Sequence, residues 1–111
     1  MAIQVIVNQR GPLPISVDFD APSDAPIYLE VNGSVFTDTV NSMIGIEIHL
    51  DASIRGFAQI FSNANGTHRA VVPAYMQIEL TEGKHTLLLK AVGGTKTTSD
   101  SNDFYVAVLN Y

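Results

Sequence analysis

Alternation of apolar and polar residues with a period of two is the feature that most constrains this sequence. In residues 43–51, MIGIEIHLD, the isoleucines and the leucine share one face, whereas Glu47, His49 and Asp51 share the other. Successive side chains of an extended strand point to opposite faces, so this pattern predicts a β-strand with one buried face. Residues 75–80 and 85–92 alternate in the same way, and a helical period of 3.6 is not sustained anywhere. The sequence therefore predicts an all-β protein.

Short turn motifs separate the alternating segments. Asn32-Gly33 stands between two apolar stretches. This dipeptide predicts a hairpin, because a type I′ turn needs positive φ at both central residues. Further turns are expected at residues 51–53, Asn65-Gly66, Glu82-Gly83 and Gly93-Gly94. Strands joined by such turns without an intervening helix indicate an antiparallel β-sandwich of the jelly-roll type.

The length of the chain predicts one sandwich domain over residues 1–111. The prolines of APSDAP, residues 21–26, exclude a central strand there, so this segment is expected to be a loop. The expected strands cover residues 3–8, 13–19, 27–31, 34–37, 43–50, 54–62, 68–72, 76–80, 85–92, 95–98 and 104–109.

Composition excludes several classes of function. The chain has no cysteine, which excludes disulfides, thiolate catalysis and Cys-ligated zinc. Its net charge is −5 and its six basic residues are scattered, so neither nucleic acid nor a membrane surface is an expected partner. No apolar run approaches the ~20 residues of a membrane span, and no basic region precedes the apolar N-terminal stretch as in a signal peptide. Localisation in a phage particle, at a bacterial surface or in the cytoplasm stays open.

The last segment, DFYVAVLNY (103–111), is apolar on both faces. One expected face carries Phe104, Val106 and Val108, and the opposite face carries Tyr105, Ala107, Leu109 and Tyr111. A contiguous exposed apolar patch marks an interface, and most soluble oligomers are symmetric. We therefore expect the face with Tyr105 to form the interface of a homo-oligomer. The alternative is a strand whose two faces are both covered within one subunit.

The second part of the chain resembles a known class of trimeric proteins. Residues 74–111, AYMQIELTEGKHTLLLKAVGGTKTTSDSNDFYVAVLNY, run as a strand, an EGKHT turn, a long strand, a polar connection and a final apolar strand. This order is similar to the C-terminal half of tumour necrosis factor-like and complement-like jelly rolls. Phage tail-fibre heads and the heads of bacterial collagen-like proteins are compact versions. The resemblance implies a homotrimer with the last strand at its three-fold axis, and a non-enzymatic structural or recognition role.

Two polar loops are the expected ligand-binding surface. Loops on a rigid sandwich commonly carry binding residues, so residues 62–67 and 94–103 are expected to meet a protein partner or a glycan. The candidate ligand-binding residues are Asn63, Asn65, His68, Arg69, Asp100, Asn102 and Asp103.

No cofactor is expected, although calcium stays open. The side-chain oxygens of Asp100, Asn102 and Asp103 suit Ca²⁺, but the loop lacks the glycine and the distal glutamate of an EF-hand. These residue types are also ordinary turn formers. The alternative function is therefore a lectin-like carbohydrate-binding sandwich, with or without calcium.

Stacking on sugar rings needs exposed aromatic side chains, and the sequence contains no tryptophan. The four tyrosines are Tyr28, Tyr75, Tyr105 and Tyr111. At least two of them stand in strongly apolar segments. We therefore expect these rings to pack in a core or an interface, since a tyrosine buries a large apolar area with one polar tip.

Catalysis has weak support in the sequence. Glu47, His49 and Asp51 could move protons or hold a metal if they share a strand face. The same alternation is typical of the solvent face of a strand, and the sequence contains no G-x-S-x-G nucleophile motif. We expect no enzymatic activity, and an enzyme that uses Glu47 and His49 is the weaker alternative.

Overall fold

The computed structural model describes residues 2–22 and 26–111, and that part of the chain forms strands and loops without a helix. No helix with the length and hydrophobicity needed to span a bilayer occurs there. The strands are β1 (Ile3–Arg10), β2 (Ile15–Ala21), β3 (Ile27–Val35), β4 (Ser42–Leu50), β5 (Ser53–Ser62), β6 (Arg69–Ala70), β7 (Ala74–Ile78), β8 (Gly83–Ala91) and β9 (Phe104–Asn110).

Two antiparallel sheets form a jelly-roll-like sandwich, as the alternation predicts. The four-stranded sheet has the order β2-β8-β4-β5. The five-stranded sheet has the order β1-β9-β3-β6, and β7 also pairs with β3. The two short strands share β3, because β7 pairs with residues 27–31 and β6 pairs with Ser34 and Val35. Strand β3 therefore has β7 as its neighbour along its first half and β6 at its end.

Every second residue of the central strands lies in the core between the sheets. The isoleucines of MIGIEIHLD and the leucines of β8 contribute from one sheet, and β3 and β9 contribute from the other. Full burial of one such side chain contributes about 1.5–3 kcal/mol. Fully buried core residues include Leu29, Val31, Ile44, Ile46, Ile48, Leu50, Leu87 and Leu89.

Strand β9 does not present its tyrosine face to other subunits. Tyr105, Ala107 and Leu109 are each 0% exposed within a single chain, so the prediction that these three form an oligomer interface is wrong. The reason is the sheet order, since β9 lies between β1 and β3 and must turn one face to the opposite sheet. Phe104, on the outer face, remains 42% exposed, and Tyr111 follows the strand at 39% exposure.

The hairpin predicted at Asn32-Gly33 is also wrong. Strand β3 continues through both residues, and Gly33 pairs with Tyr105. A Cβ atom at Gly33 would lie 2.6 Å from Cδ1 of Tyr105 and 2.7 Å from the Phe104 carbonyl oxygen. The glycine is therefore needed for close approach of neighbouring strands, not for a turn.

Of the other turns and strands predicted from the sequence, some are confirmed and others are shorter than expected. The β4–β5 connection is the expected tight turn, with Asp51 at φ 51° and Ala52 at φ 68°. The expected strand at 95–98 is reduced to a single bridge between Thr98 and Phe36. The expected strand at 68–72 is reduced to the two residues of β6. The expected loop 21–26 includes residues 23–25, which lie outside the described residues.

Candidate functional site

A buried carboxylate joins the two predicted ligand-binding loops at one end of the sandwich. Asp103 is 0% exposed, and its Oδ1 atom lies 2.7 Å from both Ser34 Oγ and His68 Nδ1. Its Oδ2 atom accepts a hydrogen bond of 2.8 Å from the Asp100 N–H. Three donors therefore satisfy this carboxylate, as a buried charge requires. The contacts attach the loop before β6 to the loop before β9.

The neighbouring histidine is biased toward its charged form. The hydrogen bond to Asp103 raises the pKa of His68, although partial burial opposes the effect. The other ring nitrogen, Nε2, lies 3.7 Å from Asp100 Oδ2, so the imidazolium contacts a second carboxylate. The ligand atoms of His68, Asp100 and Asp103 all lie within 4.8 Å of one another. Both Asp103 oxygens already accept hydrogen bonds, which a cation would have to replace. Binding of a cation at this cluster therefore stays a prediction.

The other predicted loop residues are arranged separately. Arg69 Nη2 donates a hydrogen bond of 3.1 Å to Asn63 Oδ1. Asn65 is exposed beside Gly66, whose N–H donates to the Thr37 carbonyl. The Asn102 N–H donates to Asp100 Oδ1 at 2.8 Å. The structure thus brings His68, Asp100 and Asp103 into direct contact and pairs Asn63 with Arg69.

Of the predicted set Glu47, His49 and Asp51, only Glu47 and His49 are in contact with each other. His49 Nε2 donates to Glu47 Oε2 at 2.6 Å, and the Gly93 N–H donates to Glu47 Oε1 at 3.3 Å. The hydrogen bond from His49 lowers the pKa of Glu47, and Gly93 and Lys90 act in the same direction against burial. Glu47 therefore attaches the connection after β8 to strand β4.

Asp51 belongs to a different network, in the turn that follows β4. Its Oδ2 atom lies 2.5 Å from His85 Nδ1, and its Oδ1 atom accepts the Thr86 N–H at 2.9 Å. The other ring nitrogen of His85 lies 2.7 Å from the Thr81 carbonyl oxygen. Both ring nitrogens face acceptor oxygens, an arrangement that favours the doubly protonated imidazolium. These bonds raise the pKa of His85, the bond to Asp51 most strongly.

A tyrosine-lined cavity lies on the five-stranded sheet, at the opposite end of β3 from Asp103. Its volume is 260 Å³, and it is lined by Tyr28, Tyr75, Asn110 and Tyr111. The rings of Tyr28 and Tyr75 are stacked, with centroids 5.6 Å apart and planes 7° apart. We call this group of four residues the tyrosine cavity.

Strand register explains how these residues meet. Tyr28 of β3 lies opposite Asn110 of β9 on one side and Gln77 of β7 on the other. Tyr111 is held at the end of β9 by backbone hydrogen bonds to Ala2 in both directions. Tyr28, Tyr75 and Tyr111 are 38%, 61% and 39% exposed. The cavity therefore combines aromatic faces, phenol hydroxyls and an amide on a regular sheet.

Tyr105 packs in the core, as predicted, whereas Tyr28, Tyr75 and Tyr111 are exposed on the single chain, and their packing in an interface stays a prediction. The sequence did carry a signal for two of the others. In IYLEV, Tyr28 shares a face with Glu30, and in AYMQI, Tyr75 shares a face with Gln77. Alternation therefore places both rings on a polar face. Nothing in the local pattern shows that β3, β7 and β9 are neighbours.

Comparison with known proteins identifies the fold. No protein-family model matches the sequence, and no curated protein sequence matches it either. Among solved structures, a family 35 carbohydrate-binding module from Clostridium thermocellum is similar over 90% of this chain and 72% of its own, with 16% identity and a TM-score of 0.52.

Two further structures agree with this architecture. The sugar-binding C-terminal domain of EclA is similar over 99% of this chain and 79% of its own, with 11% identity and a TM-score of 0.54. The VP2 subviral particle of infectious bursal disease virus is similar over 97% of this chain and 32% of its own, with 11% identity and a TM-score of 0.51. At such identities the likeness establishes the jelly-roll sandwich alone. It does not specifically indicate the trimeric heads that the sequence resembles.

Proposed function

We propose that this chain is a non-enzymatic β-sandwich module that binds carbohydrate in the tyrosine cavity. The observation that carries the proposal is the convergence of three tyrosines and Asn110 around 260 Å³. Ligand sites are typically concave and mostly apolar, with a few polar groups that fix orientation. A sugar ring presents C–H groups on its faces and hydroxyls at its edge. Tyrosine faces and the Asn110 amide match these two kinds of surface.

The size and position of the cavity suit a short segment of glycan. Its volume lies near the lower end of the ~300–1,000 Å³ typical of ligand pockets, which favours one or two sugar rings over a long chain. The stacked pair formed by Tyr28 and Tyr75 stands on adjacent, regularly paired strands. Such support keeps the rings in place before binding and reduces the entropy lost when a ligand is bound.

The fold supports the same proposal. Two of the similar structures are described as a carbohydrate-binding module and a sugar-binding protein. Fold alone does not determine function, so this support is secondary to the tyrosine cavity. A non-catalytic role also agrees with the contacts of Glu47, whose two carboxylate oxygens are engaged by His49 and Gly93.

The loop cluster formed by His68, Asp100 and Asp103 supports a second candidate site. Two carboxylates and an imidazole within 4.8 Å of one another could hold a cation and bind a glycan through it. The hydrogen bonds already made to Asp103 favour a structural role instead. The two sites lie at opposite ends of β3, so variants can separate them.

Binding to a glycan array, followed by titration calorimetry with the best ligand, tests the proposal. We expect Tyr75→Ala to lower affinity about fivefold or more, since stacking on an aromatic ring contributes of the order of 1 kcal/mol or more. Phe104→Ala is the matched control, because Phe104 is an exposed aromatic residue at the opposite end of β9 from Asn110. Loss of binding in Asp100→Ala but not in Tyr75→Ala would move the site to the loop cluster.

A further inference from the structure

We infer that the tyrosine cavity prefers sugars that carry a free ammonium group, such as oligomers of glucosamine, over neutral or acidic sugars. This inference rests on the proposed function and adds the chemical class of the ligand. It is carried by a carboxylate, Glu30, that stands beside the stacked tyrosines, and by a set of described lining residues that contains no basic side chain.

A carboxylate stands beside the stacked rings. Glu30 is directly opposite Tyr75 in the β3–β7 pairing, and it follows Tyr28 by two residues on the same strand face. Directly opposite residues on one sheet face have Cβ atoms about 4.5–5.5 Å apart. The Glu30 side chain is half-buried. It is not one of the four lining residues, but it is the next residue along the same sheet face from Tyr28 and is opposite Tyr75.

The charge of Glu30 is not neutralised by an ion pair in the described part of the chain. The salt bridges found there involve Glu47, Asp51, Asp100 and Asp103 with histidine or lysine partners, and Glu30 is not among them. A carboxylate of this kind attracts a cation to the adjacent cavity. A bound ammonium group would provide the missing partner.

The two basic residues in the strands of the five-stranded sheet, Arg10 and Arg69, are paired away from the cavity. None of its lining residues is basic. On β1, Arg10 pairs with Phe104 at the start of β9, whereas the cavity residue Asn110 is at the end of that strand. On β6, Arg69 pairs with Val35 at the end of β3, whereas Tyr28 is near its start. A uronic acid would thus meet Glu30 without a compensating positive charge.

The aromatic faces act in the same direction as Glu30. The face of a tyrosine ring is electron-rich and attracts ammonium groups through cation–π contacts. Tyr28 and Tyr75 are nearly parallel, so both rings expose electron-rich surface beside the same carboxylate. The chain as a whole carries a net charge of −5, which adds a weaker long-range attraction for cationic oligomers.

Calorimetric titration of the whole chain with glucosamine tetramer, N-acetylglucosamine tetramer, a neutral glucose tetramer and a uronic acid tetramer tests this inference. The measurement is made at about pH 6, below the ordinary pKa of an amine. We expect the glucosamine tetramer to bind about tenfold more tightly than the neutral oligomers. Because the preference is electrostatic, it should shrink when salt is raised from about 0.02 M to 0.2 M.

Two variants separate the charge from the shape of the site. Glu30→Gln keeps hydrogen-bonding capacity and removes the charge, so it should abolish the ammonium preference and leave binding of neutral oligomers within about twofold. Asp38→Asn is the matched control, because it makes the same charge change at an exposed residue beyond the opposite end of β3. This variant should keep the preference.

The outcomes distinguish the inference from the proposed function. Equal binding of the glucosamine and neutral oligomers, tighter binding of the uronic acid oligomer, or a preference that survives Glu30→Gln would overturn the inference while the glycan site stands. A glucosamine preference that survives Tyr75→Ala would overturn the assignment of that preference to this cavity. If none of the four oligomers nor any arrayed glycan binds, the proposed function itself fails.

Discussion

The Nδ1 atom of His85 lies 2.5 Å from the Oδ2 atom of Asp51, which is 34 residues earlier in the sequence. This contact joins the turn between β4 and β5 to the first residues of β8. Asp51 has a positive φ of 51°, a conformation that is uncommon for a residue other than glycine. The hydrogen bonds from His85 and Thr86 help to keep Asp51 in that turn conformation.

The His85–Asp51 pair should make folding stability dependent on pH. The contacts with Asp51 and Thr81 raise the pKa of His85 above its ordinary value of 6.5. Its contribution to stability is therefore complete below pH 6.5 and is lost as the pH rises through the folded pKa. Burial raises the pKa of Asp51, but hydrogen bonds from His85 and Thr86 outweigh it and the net pKa lies below 3.8.

The contribution of Asp51 is therefore present above pH 3.8 and is lost as the pH falls through its lowered folded pKa. Together the pair stabilises the fold most between about pH 4 and pH 6.5. Urea unfolding at about pH 5 and pH 8 should show lower stability at the higher pH, and a smaller decrease in His85→Gln. A wild-type stability that rises over this interval would contradict the assignment.

Substitution of Gly33 should be costly for a reason of packing. Alanine there would place a Cβ atom 2.6 Å from the Tyr105 ring and 2.7 Å from the Phe104 carbonyl oxygen. We expect Gly33→Ala to lower the free energy of unfolding by about 1–3 kcal/mol. Gly93→Ala is the control, since its nearest contact, Glu47 Oε1, is an ordinary 3.8 Å away. Equal effects of the two variants in urea unfolding would show that the strands can separate without penalty.

Asp103 should stabilise the fold through the hydrogen bonds that its carboxylate accepts. Asp103→Ala leaves the Ser34 hydroxyl, the His68 ring and the Asp100 N–H without their acceptor. The expected loss is about 2–4 kcal/mol, because unsatisfied buried donors and unpaired charges are both unfavourable. Thermal or urea unfolding measures it, with Asp100→Ala as the comparison at a more exposed carboxylate. A loss in Asp103→Ala no greater than in Asp100→Ala would contradict the structural role.

Calcium should have little effect at the same cluster. The Asp103 oxygens are already hydrogen-bonded, whereas Ca²⁺ prefers six to eight free oxygen ligands. We expect the melting temperature to be the same in excess calcium and in chelator. A ligand at 100 times its Kd would stabilise the fold by about 2.7 kcal/mol. Stabilisation of that size, abolished by Asp100→Ala, would establish a calcium site and contradict our expectation.

Self-association stays a prediction, but its interface cannot be the buried face of β9 that carries Tyr105. The outer face of the four-stranded sheet exposes several large apolar side chains, which is typical of an interface. We expect light scattering to give three times the 12.0 kDa mass of the chain, and Phe57→Ser with Phe61→Ser to reduce it to one chain. A wild-type mass of 12.0 kDa would contradict the trimer. The exposed residues are Met43, Ile54, Phe57 and Phe61.

Most residues of the loop cluster could be predicted from the sequence, whereas the tyrosine cavity could not. The loop residues His68, Asp100 and Asp103 could be named in advance because polar residues gather where strands end. The cavity depends on strands that are distant in the chain, since Tyr28, Tyr75 and Asn110 come from β3, β7 and β9. Strand order and register place them together, and neither is encoded in any one segment.

The sequence by itself determined most of the strands and which face of most of them is buried, because alternation is a property of each extended segment. Ile44, Ile46 and Ile48 lie in the core for that reason. Only the tertiary structure decided what a two-sided apolar strand or an Asn-Gly pair would do. Tyr105 points inward and Gly33 lies within a strand because each is opposite the other across two paired strands. Contacts between distant segments determine such positions, and local pattern does not report them.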